Sequence, residues 1–267
     1  MVLSVAVRFY GELNDFLPAA RRQTTLACVL NSHPSVKDLV EALGVPHPEI
    51  DLIAVNGRSV DFACRLRDGD RVAVYPRFRV IDLGDDVCLR PPPPGELRFI
   101  ADVHLGRLAA YLRLAGFDTA YRNDFRDDEI VAISASEDRT VLTRDIGVLK
   151  HRTITRGYFV RETRPGRQLV EVRRRFELVR PVAPFTRCLR CNTRLSEIAK
   201  DRVEHLLPAR TREHYQSFRR CPACDRILAR VPLRDDVPLP RRGFRRVSSR
   251  VIPGGVTSSS VAPAPAL

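Results

Sequence analysis

The stretch LRFIADVHLGRLAAYLRLAGFD, residues 97–118, decides the fold of the larger part of this chain. Leu97 to Ala101, apolar except for Arg98, reads as a short buried strand and delivers Asp102 at its carboxyl end. The period then changes. Leu105, Leu108, Ala109, Leu112 and Ala115 recur every three or four positions, which predicts a helix, and Gly116 can take the left-handed conformation that closes it. Further on, Asp127, Asp128 and Glu129 stand where a helix N-terminus welcomes negative charge, with Ile130 and Ile133 one turn apart. Thr140-Val141-Leu142-Thr143 reads as a second buried strand, and it delivers Asp145. Strand, helix, helix, strand predicts a parallel α/β sheet, whose functional groups lie outside the carboxyl ends of its strands.

Asp102 and Asp145 both occupy such ends. A third carboxylate from the start of the second helix would complete a set of hard oxygen donors for Mg²⁺ or Mn²⁺. Without a cation, three converging acids would repel one another. Each acid also has a plainer reading: Asp127, Asp128 and Glu129 as helix-start residues, Asp145 as the cap of a helix beginning at Ile146. Asp118 and Asp124 read as loop or turn residues.

Toward the N-terminus, Val5, Val7 and Phe9 alternate along one face of a strand. Ser35-Val36-Lys37-Asp38 has the form of a capping box ahead of Leu39, Val40 and Leu43. Leu52 to Val55 runs into Asn56-Gly57, a hairpin turn, and Asp68-Gly69-Asp70 leads into a final strand, Arg71 to Tyr75. Strands, a helix, a hairpin and a last strand predict a β-grasp domain over residues 1–90. Pro91 to Pro94, followed by Gly95, reads as a stiff linker. The expected organisation is multidomain, α+β then α/β: the β-grasp domain, an α/β parallel-sheet domain over 96–182, a cysteine module over 183–232 and a disordered tail over 247–267.

Charge divides along the chain. Residues 1–90 carry 11 basic and 12 acidic side chains, residues 91–140 carry 6 and 9, and the remainder holds 28 against 11. An acidic patch followed by a basic half suits a protein that holds a cation at one place and a polyanion beside it. Arginines crowd the stretch after Asp145, including Arg144 beside it and Arg173, Arg174 and Arg175, as expected of phosphate contacts to RNA. No apolar run is long enough to span a membrane and no secretion signal opens the chain, so a cytoplasmic location is expected. In that setting Cys188-x-x-Cys191 and Cys221-x-x-Cys224 point to a closed four-thiolate structural Zn²⁺ site rather than disulfides. Cys28, Cys64 and Cys88 lack ligand spacing and read as small apolar residues.

Two resemblances extend this reading. Val7-Arg8-Phe9-Tyr10, Val55-Asn56-Gly57 and Asp68-Gly69-Asp70-Arg71-Val72 resemble the ubiquitin-like sulfur carriers of ThiS and MoaD type. Those carriers end in Gly-Gly, whereas this chain runs on through Arg77-Phe78-Arg79-Val80, so the domain is expected to pack on its neighbour or dock a protein partner. The second resemblance is carried by Arg98-Phe99-Ile100-Ala101-Asp102, Leu105-Gly106-Arg107-Leu108-Ala109, Asp124-Phe125-Arg126-Asp127-Asp128-Glu129-Ile130 and Leu142-Thr143-Arg144-Asp145. It is to the Mut-seven carboxy-terminal RNase family, a PIN-like group, and it implies a metal-dependent ribonuclease preceded by a β-grasp module. Carried over, the family's acidic site falls on Asp102, on Asp127 with Glu129 as a close rival, and on Asp145, with the four cysteines as its zinc ribbon. The tryptophan-containing continuation of that ribbon is missing, and His104 stands where an apolar residue is expected. A non-catalytic zinc-ribbon RNA-binding or ribosome-associated adaptor is the alternative.

Overall fold

The computed structural model describes residues 2–76, 89, 96–178 and 183–229; Cys88, the expected linker, Arg180 and the expected tail lie outside them. In β1 (Leu3–Phe9) the inward positions are Leu3, Val5, Val7 and Phe9, as the period of two requires. β1 pairs antiparallel with β2 (Thr25–Leu30). Ser35 starts α1 (Val36–Ala42): its Oγ accepts from Asp38 N at 3.2 Å while Asp38 Oδ2 accepts from Ser35 N at 3.1 Å. β3 (Leu52–Val55) and β4 (Arg58–Val60) flank Asn56 and Gly57, both at positive φ, and β5 (Arg71–Tyr75) returns parallel to β1. The sheet order is β2-β1-β5-β3-β4, a β-grasp, with Cys28 and Cys64 half-buried against its core.

The second domain runs β6 (Arg98–Ala101), α2 (Gly106–Leu114), β7 (Asp118–Ala120), α3 (Asp127–Glu137), β8 (Thr140–Thr143), α4 (Ile146–Leu149), β9 (Gly157–Phe159) and α5 (Pro165–Arg175). Its sheet, ordered β7-β6-β8-β9, is parallel throughout. Alternation splits each strand between two cores. Phe99, Ala101 and Leu142 meet Leu108, Leu112, Leu169 and Val172, whereas Ile100 and Val141 meet Ile130, Val131 and Leu149. Both faces are covered, so Phe99 to Ala101 and Val141 to Leu142 are apolar without alternation.

Gly116 ends α2 at φ +97°, and a β-carbon there would lie 2.3 Å from the Ala183 carbonyl oxygen. Gly116→Ala therefore combines left-handed strain with overpacking, an expected loss of about 2–4 kcal/mol. Urea denaturation of the two proteins measures it, and equal midpoints would refute the packing argument.

The third module carries β10 (Ser196–Ile198), α6 (Lys200–Val203), α7 (Ala209–His214), β11 (Phe218–Arg220) and β12 (Ile227–Ala229). The three strands form an antiparallel sheet over Val203, Leu207 and Phe218.

The β-grasp domain packs on the β9 edge. Phe16 meets Phe159 edge to face, His47 Nε2 lies 2.8 Å from the Ile154 carbonyl, and Lys150 Nζ donates to Glu41 O at 2.7 Å. Glu49 is 0% exposed at the centre of this seam. Its Oε1 accepts the N–H of Phe159 at 2.6 Å, and its Oε2 faces Arg161 at 3.6 Å and Arg175 at 4.0 Å. Burial pushes the Glu49 carboxyl up from its ordinary range, while the two guanidinium groups oppose that shift. Among the described residues, no helix is long and apolar enough to cross a membrane.

Candidate functional site

Asp102 follows β6 and Asp145 follows β8, neighbouring parallel strands, so both acids stand at the carboxyl edge of the sheet. Asp102 is only 4% exposed. Its Oδ2 accepts the Thr143 hydroxyl proton at 2.6 Å, and its backbone N–H donates to Leu142 O. The same Thr143 Oγ accepts the N–H of Asp145 at 2.9 Å, a hydroxyl turn closed two residues along the chain. One hydroxyl therefore ties the two acids together. The exposed Asp145 carboxylate also accepts from Gly147 N at 2.6 Å and caps α4, so its capping reading is realised in the geometry.

α3 begins at the same edge, after β7, and brings Asp127, Asp128 and Glu129 to its first turn. Glu129 is engaged there: its Oε2 accepts from Arg126 N at 2.9 Å and its Oε1 from Arg122 Nη2 at 3.3 Å. Asp128 pairs with Arg126. The structure does not gather Asp102, Asp127 and Asp145 into one tight cluster. Among the described residues, the four cysteines are the one group of three or more candidate ligand residues whose ligand atoms lie within 4.8 Å of one another.

Two of the expected phosphate contacts are turned to other uses. Arg144 Nη1 donates to the carbonyls of Val160, Arg161 and Glu162 at 2.8–2.9 Å and clamps the loop after β9. Arg175 is buried at the seam, over the Tyr158 ring and beside Glu12 and Glu49. A count of arginines gives charge, not direction. Arg173 Nε donates to Leu178 O, and Arg174 is exposed.

The cysteine module shows a repeated device. Cys188 N donates to Thr193 O and Asn192 N to Cys188 O; Cys221 N donates to Arg226 O and Asp225 N to Cys221 O. Asn192 and Asp225, one residue past each pair, take positive φ of 67° and 58°. These matching turns aim four sulfurs inward, with Sγ–Sγ separations of 3.4, 3.5 and 3.6 Å. Tetrahedral zinc with bonds of about 2.3 Å needs sulfurs roughly 3.8 Å apart, so the set fits a closed structural site after a small expansion.

Sequence reading missed what joins this module to the α/β domain. Arg113, on α2, is buried and donates to Thr119 O, Leu189 O and Arg190 O at 2.8–3.0 Å, gripping the first cysteine turn. Asp118, expected in a turn, opens β7 and accepts from Arg139 Nη1 at 2.6 Å and Asn192 Nδ2 at 2.8 Å, with Arg187 at 3.2 Å. Burial favours its neutral form, but the bonds from Arg139 and Asn192 win and hold its carboxyl below the ordinary value. With the folded value below the unfolded one, this stabilisation is present above about pH 4 and is lost as pH falls through the folded value. Asp118→Asn should be less stable at neutral pH and lose less stability on acidification. Parallel acid limbs in urea titrations would sink that assignment.

Comparison with known families matches residues 97–228 to the Mut7-C RNAse domain and residues 2–82 to the Mut7-C ubiquitin domain. No curated protein matches the chain significantly. Among solved structures, the solution structure of the Haloferax volcanii HVO 2177 protein is similar over 30% of this chain and 87% of that one, at 19% identity and a TM-score of 0.24, too low to carry an argument. The chain thus carries a Mut7-C RNAse domain at residues 97–228 preceded by a Mut7-C ubiquitin domain at residues 2–82, the architecture expected from its sequence.

Proposed function

We propose that this chain is a metal-dependent ribonuclease in which Asp102 and Asp145, with Asp127 alongside and Glu129 as its rival, hold Mg²⁺ or Mn²⁺. The observation that supports it most is Thr143, whose hydroxyl bonds the Asp102 carboxylate and the Asp145 backbone N–H and so ties together two acids that follow neighbouring strands of an RNAse-family domain. The donor chemistry suits Mg²⁺, which commonly takes one or two carboxylates and keeps its remaining waters. When bound, such a cation polarises a phosphoryl oxygen and acidifies a coordinated water. The protein's own groups do the rest. Thr143 holds Asp102 in place, and Asp145, open to solvent, is positioned to accept a proton. Arg164, Arg167 and Arg174, exposed on or just before α5, offer phosphate contacts indifferent to base sequence. Glu129, spent on the start of α3, is the weaker candidate beside Asp127. Cys188, Cys191, Cys221 and Cys224 hold Zn²⁺ in a structural role.

The spread of the three acids favours a second reading, the non-catalytic RNA-binding or ribosome-associated adaptor. Incubating zinc-loaded protein with labelled tRNA and unstructured RNA, under Mn²⁺, Mg²⁺ or EDTA, separates the two. Beside it runs an Asp102→Asn, Asp145→Asn double variant. Cleavage by the wild type alone, lost in EDTA, is the expected result. Salt-sensitive binding by both proteins with cleavage by neither would replace the enzyme with the adaptor.

A further inference from the structure

Hydrogen bonds leading away from Glu49 end at the carboxylate edge. Glu49 Oε1 takes the N–H of Phe159, the last residue of β9. Phe159 lies opposite Thr143 in the sheet, and the N–H of Val160 donates to Thr143 O at 2.8 Å. Thr143 in turn gives its hydroxyl proton to Asp102 and receives the N–H of Asp145. A second route runs through the loop after β9. Arg161 is held from the β-grasp domain by Asp15 Oδ2 at 3.0 Å and Glu12 O at 3.4 Å. The carbonyls of Val160, Arg161 and Glu162 then accept from Arg144, the neighbour of Asp145.

An interface that needed only adhesion would be better served by an apolar side chain of this size, because burying a carboxylate with two guanidinium groups carries a large desolvation cost. Glu49 instead reaches a single backbone N–H, and that N–H belongs to the strand beside β8. We propose that the ubiquitin-like domain is a working part of the nuclease site, with Glu49 as the positioning residue that fixes Phe159 and, through Thr143, the geometry of Asp102 and Asp145. The domain then acts within its own chain as well as presenting a surface for protein interactions. Positioning of this kind matters because a misplacement of about 1 Å can cost about a hundredfold in rate.

This inference rests on the ribonuclease reading, so its test has one arm independent of cleavage. Full-length, zinc-loaded wild type, Glu49→Gln and Glu49→Met are compared for RNA cleavage with Mn²⁺ and for amide hydrogen exchange. Glutamine keeps an acceptor for Phe159 N–H; methionine fills the space without one. Expected for Glu49→Met is a fall in kcat of about tenfold or more with KM within about twofold, restored to within about threefold of wild type by Glu49→Gln. Exchange should quicken at the Phe159, Asp145 and Asp102 amides of Glu49→Met while the β1 amides keep their protection. Wild-type kcat in Glu49→Met, or quickened exchange confined to Phe159, overturns the proposal. Should the wild type not cleave, the ribonuclease reading fails and the Asp145 and Asp102 amides alone decide. Should Glu49→Met not fold, Asp15→Asn, which loosens Arg161 at the exposed rim of the seam, takes its place with the same readouts and a smaller expected fall.

Discussion

Removing zinc, by a strong chelator or by Cys221→Ser, is expected to unfold residues 183–229 and to weaken the α/β domain with them. Structural zinc binding to small cysteine modules is worth about 10–16 kcal/mol in apparent terms near neutral pH, and that energy is folding energy. The module has little else. Its core is Val203, Leu207 and Phe218 with a few half-buried neighbours, and its three strands are three residues each. A core of that size does not stand alone. The effect spreads because Arg113 donates to the carbonyls of Leu189 and Arg190, while Asn192 Oδ1 accepts the N–H of Thr119 in β7. With the first cysteine turn gone, a buried guanidinium loses its bonds to Leu189 O and Arg190 O while keeping those to Thr119 O and Tyr121 O, and a hydrogen bond to a charged group is worth about 1.5–3 kcal/mol. Circular dichroism followed against zinc content should show loss of the module and a lower melting temperature for what remains. An unchanged melt in the metal-free protein would mean that the cysteines hold no structural metal.

Asp102→Asn is expected to reduce metal-dependent RNA cleavage by about 10²–10³-fold, taking a loss of several kcal/mol of charge stabilisation at about 1.4 kcal/mol per tenfold. Asparagine keeps the shape and an oxygen that can still accept the Thr143 hydroxyl at the 2.6 Å contact, so the fold should survive the change. Asp102→Ala does more. It deletes the acceptor and strands a fully buried hydroxyl, an added stability cost of about 1–3 kcal/mol. The pair of variants separates the charge from the scaffold: both should be nearly inactive, and only alanine should also melt early. An asparagine variant as active as the wild type would remove Asp102 from the site. Early melting by asparagine would make it a structural residue.

The elements legible in the sequence are those in which one pattern dominates. The stripe from Leu105 to Ala115, closed by Gly116, predicts α2 and its left-handed end, and the runs ahead of Asp102 and Asp145 predict β6 and β8. The two C-x-x-C pairs predict four converging sulfurs because each spacing makes its own turn. β7 and β9 escape notice because three residues carry no period. α5 is hidden by its arginines, although Leu169 and Val172 give it a buried face. Arg113 and Glu49 look like surface charges, since their partners lie far along the chain, Glu49 and Phe159 being 110 residues apart. Thr143 reads only as a strand residue, yet a hydroxyl two places before an acid at a strand end was the available signal.

The seam at Glu49 also bears on how such a chain can change over time. One carboxylate from the first domain faces two arginines of the second, Glu49 and Arg175 buried and Arg161 half-buried, so altering any one alone leaves the others mismatched. The three positions are constrained to drift in concert. A foreign β-grasp domain grafted ahead of this RNAse-family domain would take hold only if it carried an acid at the same depth.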